Sequence, residues 1–249
     1  MADIAALIAA NQRRFAVARL LTAKGGAFRA TARRLVAERD RYQRVAEMTG
    51  VPWYAIAVIH EREASQRWDA SIAQGDPWNH VSTHVPRGRG PFASWEEAAI
   101  DALLSCAPYA ARNTDWSIGG TLTKLEEYNG LGYASRGRPS PYVWSGTDQY
   151  VSGKYTRDGV YDPNAVDSQL GCAGLLVAMT ALDPTITYTG MTISPATTLT
   201  VPVMRASPKP SSRDVAKRLP HSITNPAKGS IGAAIASVLS AILSTFKRK

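Results

Sequence analysis

The sequence predicts a mainly α-helical fold of the α+β kind. A helical domain carries a small β-hairpin and is followed by a C-terminal linker and an apolar helix. Three observations predict it. Ala, Leu and Arg dominate the first 50 residues in helix-compatible runs. Apolar segments with helix-start signals recur between residues 51 and 183, with one alternating stretch among turn formers. Beyond residue 183 the composition turns to Thr, Ser and Pro before a final uncharged segment.

Four regions follow in order. Residues 1–50 read as a two-helix packing element, interrupted at Gly25-Gly26 and resuming from Ala27 to Met48. Residues 51–183 form the informative domain and hold all six tryptophans. There Pro52 opens a helix in its first turn, and Trp53 to Glu63 continues it as an almost unbroken apolar run. Gln74 to Gly90 carries Gly75, Pro77, Pro86, Gly88 and Gly90, with Val81, Thr83 and Val85 alternating between them, which predicts a loop and the short hairpin. Ser94 to Glu97 is a capping box that starts a helix from Trp95 to about Tyr109. Further helices are expected over Ile118–Tyr128 and, after a Gly- and Pro-rich loop, over Asn164–Leu182. Residues 184–228 read as a Ser/Thr/Pro-rich linker, and 229–249 as an apolar helix with a basic end.

Composition narrows the chemistry. The chain has 249 residues and is 45% hydrophobic, enough to bury a core. A formal net charge of +9 and a pI near 9.7 point to a polyanionic partner, whether nucleic acid, an anionic membrane face or an anionic wall. The Arg residues are spread along the chain without a recognition motif, so no nucleic acid is expected. The two cysteines, Cys106 and Cys172, lack zinc-ligand spacing and read as buried free thiols. The four histidines contain no HExxH pattern, so neither metal nor cofactor is expected. The N-terminus does not read as a Sec signal, since Asp3 stands where positive charge is wanted and Arg13 and Arg14 follow the apolar run. The expectation is synthesis in a cytoplasm.

Glu63 is the candidate catalytic residue. It ends the apolar helix with Ile56 and Ile59 on its own face. Burial and the negative end of the helix dipole both raise a carboxyl's pKa, and an acid held protonated near neutrality is what protonating a glycosidic oxygen requires. Lysozyme is the known case of a carboxyl raised in this way by an apolar pocket, and the same logic applies here to other residues. By periodicity alone Glu61 is an equally available carboxylate. Downstream stand Asp76, then Ser82, Thr83 and His84, where an Asp and a hydroxyl can place water on the opposite face of a sugar ring. Asp76 before Pro77 also fits a simple turn former.

These segments resemble bacterial and phage lysozyme-like muramidases. The likeness runs through Val51-Pro52-Trp53-Tyr54, His60-Glu61-Arg62-Glu63-Ala64-Ser65, Gly75-Asp76-Pro77 and His84-Val85-Pro86. It continues through Trp95 to Ala99, Tyr128-Asn129-Gly130-Leu131-Gly132-Tyr133, Pro141 to Gly146 and Tyr161 to Val166, about residues 40 to 183 in all. Glu63-Ala64-Ser65 with Tyr128-Asn129-Gly130 is similar to the Glu-Ser and Tyr-Asn-x-Gly pairing of goose-type lysozymes and lytic transglycosylases, departing from it at Ala64. Glu63, Asp76 and Ser82 resemble the Glu/Asp/Thr trio of phage lysozymes, with a longer first gap and Ser for Thr, so that either Ser82 or Thr83 can take the hydroxyl's place. The resemblance implies a lysozyme-like fold, peptidoglycan as partner, Glu63 as acid, and Tyr128 and Asn129 shaping the cleft.

An inverting muramidase needs a second carboxylate roughly 6.5–9.5 Å from the first. A lytic transglycosylase needs none, because the substrate's own hydroxyl attacks. Asp76 tilts the expectation toward hydrolysis of the bond between N-acetylmuramic acid and N-acetylglucosamine. Sugar rings stack on flat faces, so Tyr133 and Trp144, with His84, are the further substrate-contact candidates among loop residues that include Trp78 and Tyr142. Core packing is the commoner fate of Trp. Gly229–Phe246 is uncharged and precedes Lys247-Arg248-Lys249, which suggests membrane association, with docking on protein as the alternative. The expected setting is phage lysis or penetration of the wall. The rival reading is a non-catalytic wall-binding or virion protein.

Overall fold

The computed structural model describes residues 2–190 apart from 74, 85 and 158. Among them the chain is mainly α, with nine α-helices and one two-stranded antiparallel sheet.

The first 50 residues make three helices instead of two: α1 (Ile4–Val17), α2 (Thr22–Ala37) and α3 (Arg39–Thr49). Asp3 caps α1 by accepting from the Ala6 amide at 3.1 Å. The break falls at Ala18–Leu21, where the backbone is extended and Leu20 bridges Thr147. Gly25 and Gly26 lie inside α2. Each costs a helix about 1 kcal/mol relative to Ala, and burial of Phe28, Ala32 and Leu35 on the same helix outweighs that. Phe28 packs on Gly174, where an added Cβ would collide with its ring. The N-terminal helices therefore belong to the same core as the rest.

Helix α4 (Trp53–Ala64) is the central element, buried from Trp53 through His60, with Pro52 at its cap position. Its end is sharp. Ser65 and Gln66 both adopt the left-handed region, at φ 52° and 58°, and their amides bond back to Glu61 and His60. Helix α5 (Trp95–Ser105) starts as expected. The Glu97 amide donates to Ser94 Oγ at 3.1 Å, and the Glu97 carboxylate reaches back to Ala93 N at 2.8 Å. It stops short of Tyr109 because Pro108 lacks an amide hydrogen and disfavours helix at its predecessor. Helix α6 (Ile118–Tyr128) matches its expected span, capped by Ser117 on the Gly120 amide. Two short helices follow, α7 (Gly132–Ser135) and α8 (Pro141–Trp144), then strands β1 (Lys154–Arg157) and β2 (Val160–Asp162), and α9 (Cys172–Leu182).

The hairpin is therefore not where alternation placed it. The described residues of 74–90 form a loop in which the Thr83, His84 and Arg89 amides donate to side chains and the Ser82 amide to Arg89 O, and Val81 is exposed. The β1–β2 hairpin lies in the stretch read as loop, anchored by the Tyr155 amide donating to Tyr133 Oη at 2.9 Å and by packing among Tyr133, Tyr155 and Tyr161. Helix α9 begins at Cys172 and not at Asn164; residues 164–171 are neither helix nor strand, and Asp167 among them is buried. Ile186 and Tyr188 are buried against the core, so the folded unit runs past residue 183. The remainder of the 184–228 segment, from residue 191, and the 229–249 segment lie outside the described residues. No helix among the described residues is long and apolar enough to cross a membrane.

Candidate functional site

Glu63 is the penultimate residue of α4, half-buried where the left-handed turn at Ser65 ends the helix. Burial pushes its carboxyl up to about 7, against the pull of the Tyr142 hydroxyl and the Arg62 charge. Tyr142 Oη donates to Glu63 Oε1 at 2.7 Å. Pro141 at the first turn of α8 presents Tyr142, which is itself buried. Tyr128, the last residue of α6, has a buried hydroxyl with no hydrogen-bond partner among the described residues, and burial first, then the Glu63 charge, push its pKa up.

Tyr142 also lines a polar cavity of about 450 Å³, together with Arg62, Asn129, Tyr133, Lys154 and Asp167. Glu63 is not on this lining; it meets the cavity through Tyr142. Arg62, the residue before it, is held by Asp167 Oδ2 at 3.2 Å and Leu170 O at 3.2 Å, with its guanidinium 4.5 Å over the Tyr142 ring.

A raised carboxyl is not by itself a catalytic sign. Glu126 is also pushed up to about 7 by burial, yet it lies 1% exposed in the polar layer between α1 and α6, near Asn11. Glu61 is raised by burial too and stands 3.8 Å from Arg34 of α2. Location separates the three, since Glu63 alone has its hydrogen-bond partner on the wall of the cavity.

The other sequence candidates divide. Asn129 and Tyr133 line the same cavity, and Tyr128 stands by Glu63, so these three join the site. Trp144 does not. It is 0% exposed, and its indole donates to Asn11 Oδ1 at 3.3 Å, so no sugar face can reach it. Asp76 is near in the chain fold, because Gly75 passes so close to Glu63 O that an added Cβ would lie 3.1 Å away. The Asp76 carboxylate, however, accepts from the His84 amide at 3.0 Å, the Thr83 amide at 2.8 Å and His84 Nδ1 at 2.5 Å. Those bonds, led by the His84 amide, hold it down at about 2. Ser82 is likewise committed, donating to Pro86 O at 2.7 Å and accepting from the Arg89 amide at 3.0 Å. Thr83 and His84 are exposed.

Sequence reasoning missed Arg62, Lys154 and Asp167 as site residues. Arg62 carried a usable signal, being adjacent to the proposed acid. Asp167 carried none, because its stretch read as buried helix. Cys106 and Cys172 are both buried and free. Among the described residues no group of His, Cys, Asp or Glu is clustered to hold a metal ion. Comparison of the chain with protein-family models, with curated proteins and with solved structures found no match.

Proposed function

We propose that the chain cleaves the peptidoglycan glycan bond between N-acetylmuramic acid and N-acetylglucosamine, with Glu63 as the general acid. The observation that carries this reading is the half-buried Glu63 carboxyl, raised to about 7 and hydrogen-bonded to a tyrosine on the wall of a polar cavity. Such a group is substantially protonated at neutral pH and can donate to the leaving glycosidic oxygen as the C1–O bond breaks. The sequence likeness to lysozyme-like muramidases supplies the substrate, and the basic charge suits an anionic wall. A setting in phage lysis or wall penetration rests on that likeness alone.

Two fates are open to the sugar cation-like centre. In hydrolysis, water attacks C1 with help from a carboxylate, for which Asp76 is the candidate. In the non-hydrolytic route, the muramic acid 6-hydroxyl attacks C1, and the Glu63 carboxylate left by the first transfer accepts that hydroxyl's proton. The proton balance closes, and a 1,6-anhydro end forms. The three donors on Asp76 favour the second route, because a carboxylate held at about 2 is a weak base.

The experiment is mass spectrometry of fragments released from purified peptidoglycan by the parent and by Glu63→Gln. Anhydro-muramic ends made only by the parent support the transglycosylase route, and reducing muramic ends support hydrolysis. Equal release by both proteins removes Glu63 as the acid. No release by either supports the wall-binding alternative.

A further inference from the structure

The cavity beside Tyr142 has a charge pattern that acid catalysis at Glu63 does not use. Arg62, Lys154 and Arg157 all line it, and among the described residues the one acidic side chain on its lining is Asp167. Asp167 takes Arg62 at 3.2 Å and Lys154 at 2.9 Å, so one carboxylate orients two cations and the described lining keeps a positive balance. The Arg62 side chain is only 5% exposed, and its Nε is buried with no hydrogen-bond partner among the described residues. A buried donor without an acceptor is destabilising, and an incoming oxygen at that edge would offset the loss. Arg136, off the lining, stands 4.7 Å over the Tyr161 ring and donates to Tyr155 Oη at 2.9 Å.

We propose that this cavity is a carboxylate subsite, taking the acidic group that peptidoglycan carries on its muramic acid residue or on the attached peptide, with Arg62 as the fixed cation and Lys154 and Arg157 as its outer partners. The proposal rests on the peptidoglycan reading. Its chemistry comes from the cavity. The guanidinium is planar, immobilised by Asp167, Leu170 O and the Tyr142 ring, and so loses little freedom on pairing with a carboxylate. The tyrosine and amide walls, Tyr133, Asn129 and Gln169, suit an organic acid with a sugar or peptide body. Because Arg62 precedes Glu63 in the chain and shares Tyr142 with it, an acid seated there holds its own sugar next to the catalytic carboxyl.

The test is an NMR titration of the full chain, as parent and as Glu63→Gln, so that turnover is not needed. Three probes are used: N-acetylglucosamine, which is neutral; N-acetylmuramic acid, whose carboxylate is on the lactyl group; and N-acetylmuramyl-L-alanyl-D-isoglutamine, whose carboxylate is on the peptide. At least one acidic probe should bind about tenfold tighter than the neutral sugar, and which one does identifies the carboxylate's source. Lys154→Gln and Arg157→Gln should each weaken that probe about threefold, while Arg33→Gln on the exposed face of α2 leaves it unchanged. Equal affinity for all three probes overturns the subsite. So does a loss in Arg33→Gln as large as that in Lys154→Gln. Acid-selective binding in a protein that releases no glycan fragments keeps the subsite and removes the enzymatic reading.

Discussion

Tyr142 joins the acid to the cavity: its hydroxyl donates to Glu63 Oε1 at 2.7 Å while its ring lies 4.5 Å beneath the Arg62 guanidinium. One side chain from α8 thereby sets the orientation of two consecutive residues at the end of α4. The strained Ser65-Gln66 turn that follows keeps the helix end in place.

Replacing Glu63 by Gln should abolish fragment release, by roughly 10²–10⁴-fold for loss of a positioned acid. The fold should survive, because the amide is isosteric and its carbonyl still accepts from Tyr142. Thermal melts at pH 5 and pH 8 check this. Because the folded pKa of Glu63 is raised, its contribution to stability is fully present below the unfolded value and lost as pH rises through about 7. The variant should therefore be no less stable than the parent at pH 8.

Activity should fall as pH rises above about 7, because the acid must be protonated to donate. Tyr142→Phe removes a donor that pulls Glu63 down, so its carboxyl rises further and the descending limb should move to higher pH. A kcat/KM profile of the two proteins measures the shift. An unmoved limb would assign the titration to another group.

Asp76→Asn should leave the chemical identity of the product ends unchanged and lower the rate less than tenfold. Its effect should appear in stability, since the carboxylate staples the 76–84 loop through backbone amides. The depressed pKa adds stability above about 4 that is lost as pH falls through about 2. A loss in Tm of a few degrees at pH 7, shrinking toward pH 2, is the expected signature. A hundredfold rate loss at unchanged Tm would restore Asp76 as the group that handles water.

Glu126→Gln should stabilise the protein at alkaline pH and have little effect at pH 4. The folded pKa of about 7 means that ionising this buried carboxyl weakens the fold above that pH. The gain at pH 9 should be on the order of 3 kcal/mol, read from urea midpoints at the two pH values. Asn11 and Trp144 share that polar layer between α1 and α6, so the variant reports on the docking of α1.

Trp144→Phe should cost stability and leave the affinity for soluble glycan fragments unchanged. The change leaves Asn11 Oδ1 buried without its indole donor, a penalty of about 1–3 kcal/mol. Urea denaturation and a fragment titration separate the two effects. Weakened glycan binding in a variant of unchanged stability would return Trp144 to the cleft.

The helical elements were largely legible in local pattern. The Ser94–Glu97 capping box marked one helix start, and the apolar run from Trp53 led to Glu63 at a helix end, because capping and amphipathic spacing are short-range properties. The hairpin was not legible. Among the described residues of that alternating stretch, Val81 and Thr83 lie in a loop, whereas Lys154–Arg157 and Val160–Asp162 pair with each other and are anchored by Tyr133, 22 residues before Tyr155. Gly25 and Gly26 misled for a similar reason, since the packing of Phe28 on Gly174 overrides their weak local preference.

From the residues alone came a mainly helical chain, a carboxyl at the end of a buried helix, and the tyrosine and asparagine that close α6. Folding in three dimensions assigned their partners. It put Tyr142 on Glu63, closed Arg62 and Lys154 around Asp167, tied Asp76 into its own loop and sealed Trp144 in the core. Those outcomes depend on side chains brought together from distant positions and on how much water each loses. Neither quantity is encoded in the spacing of residues along one segment.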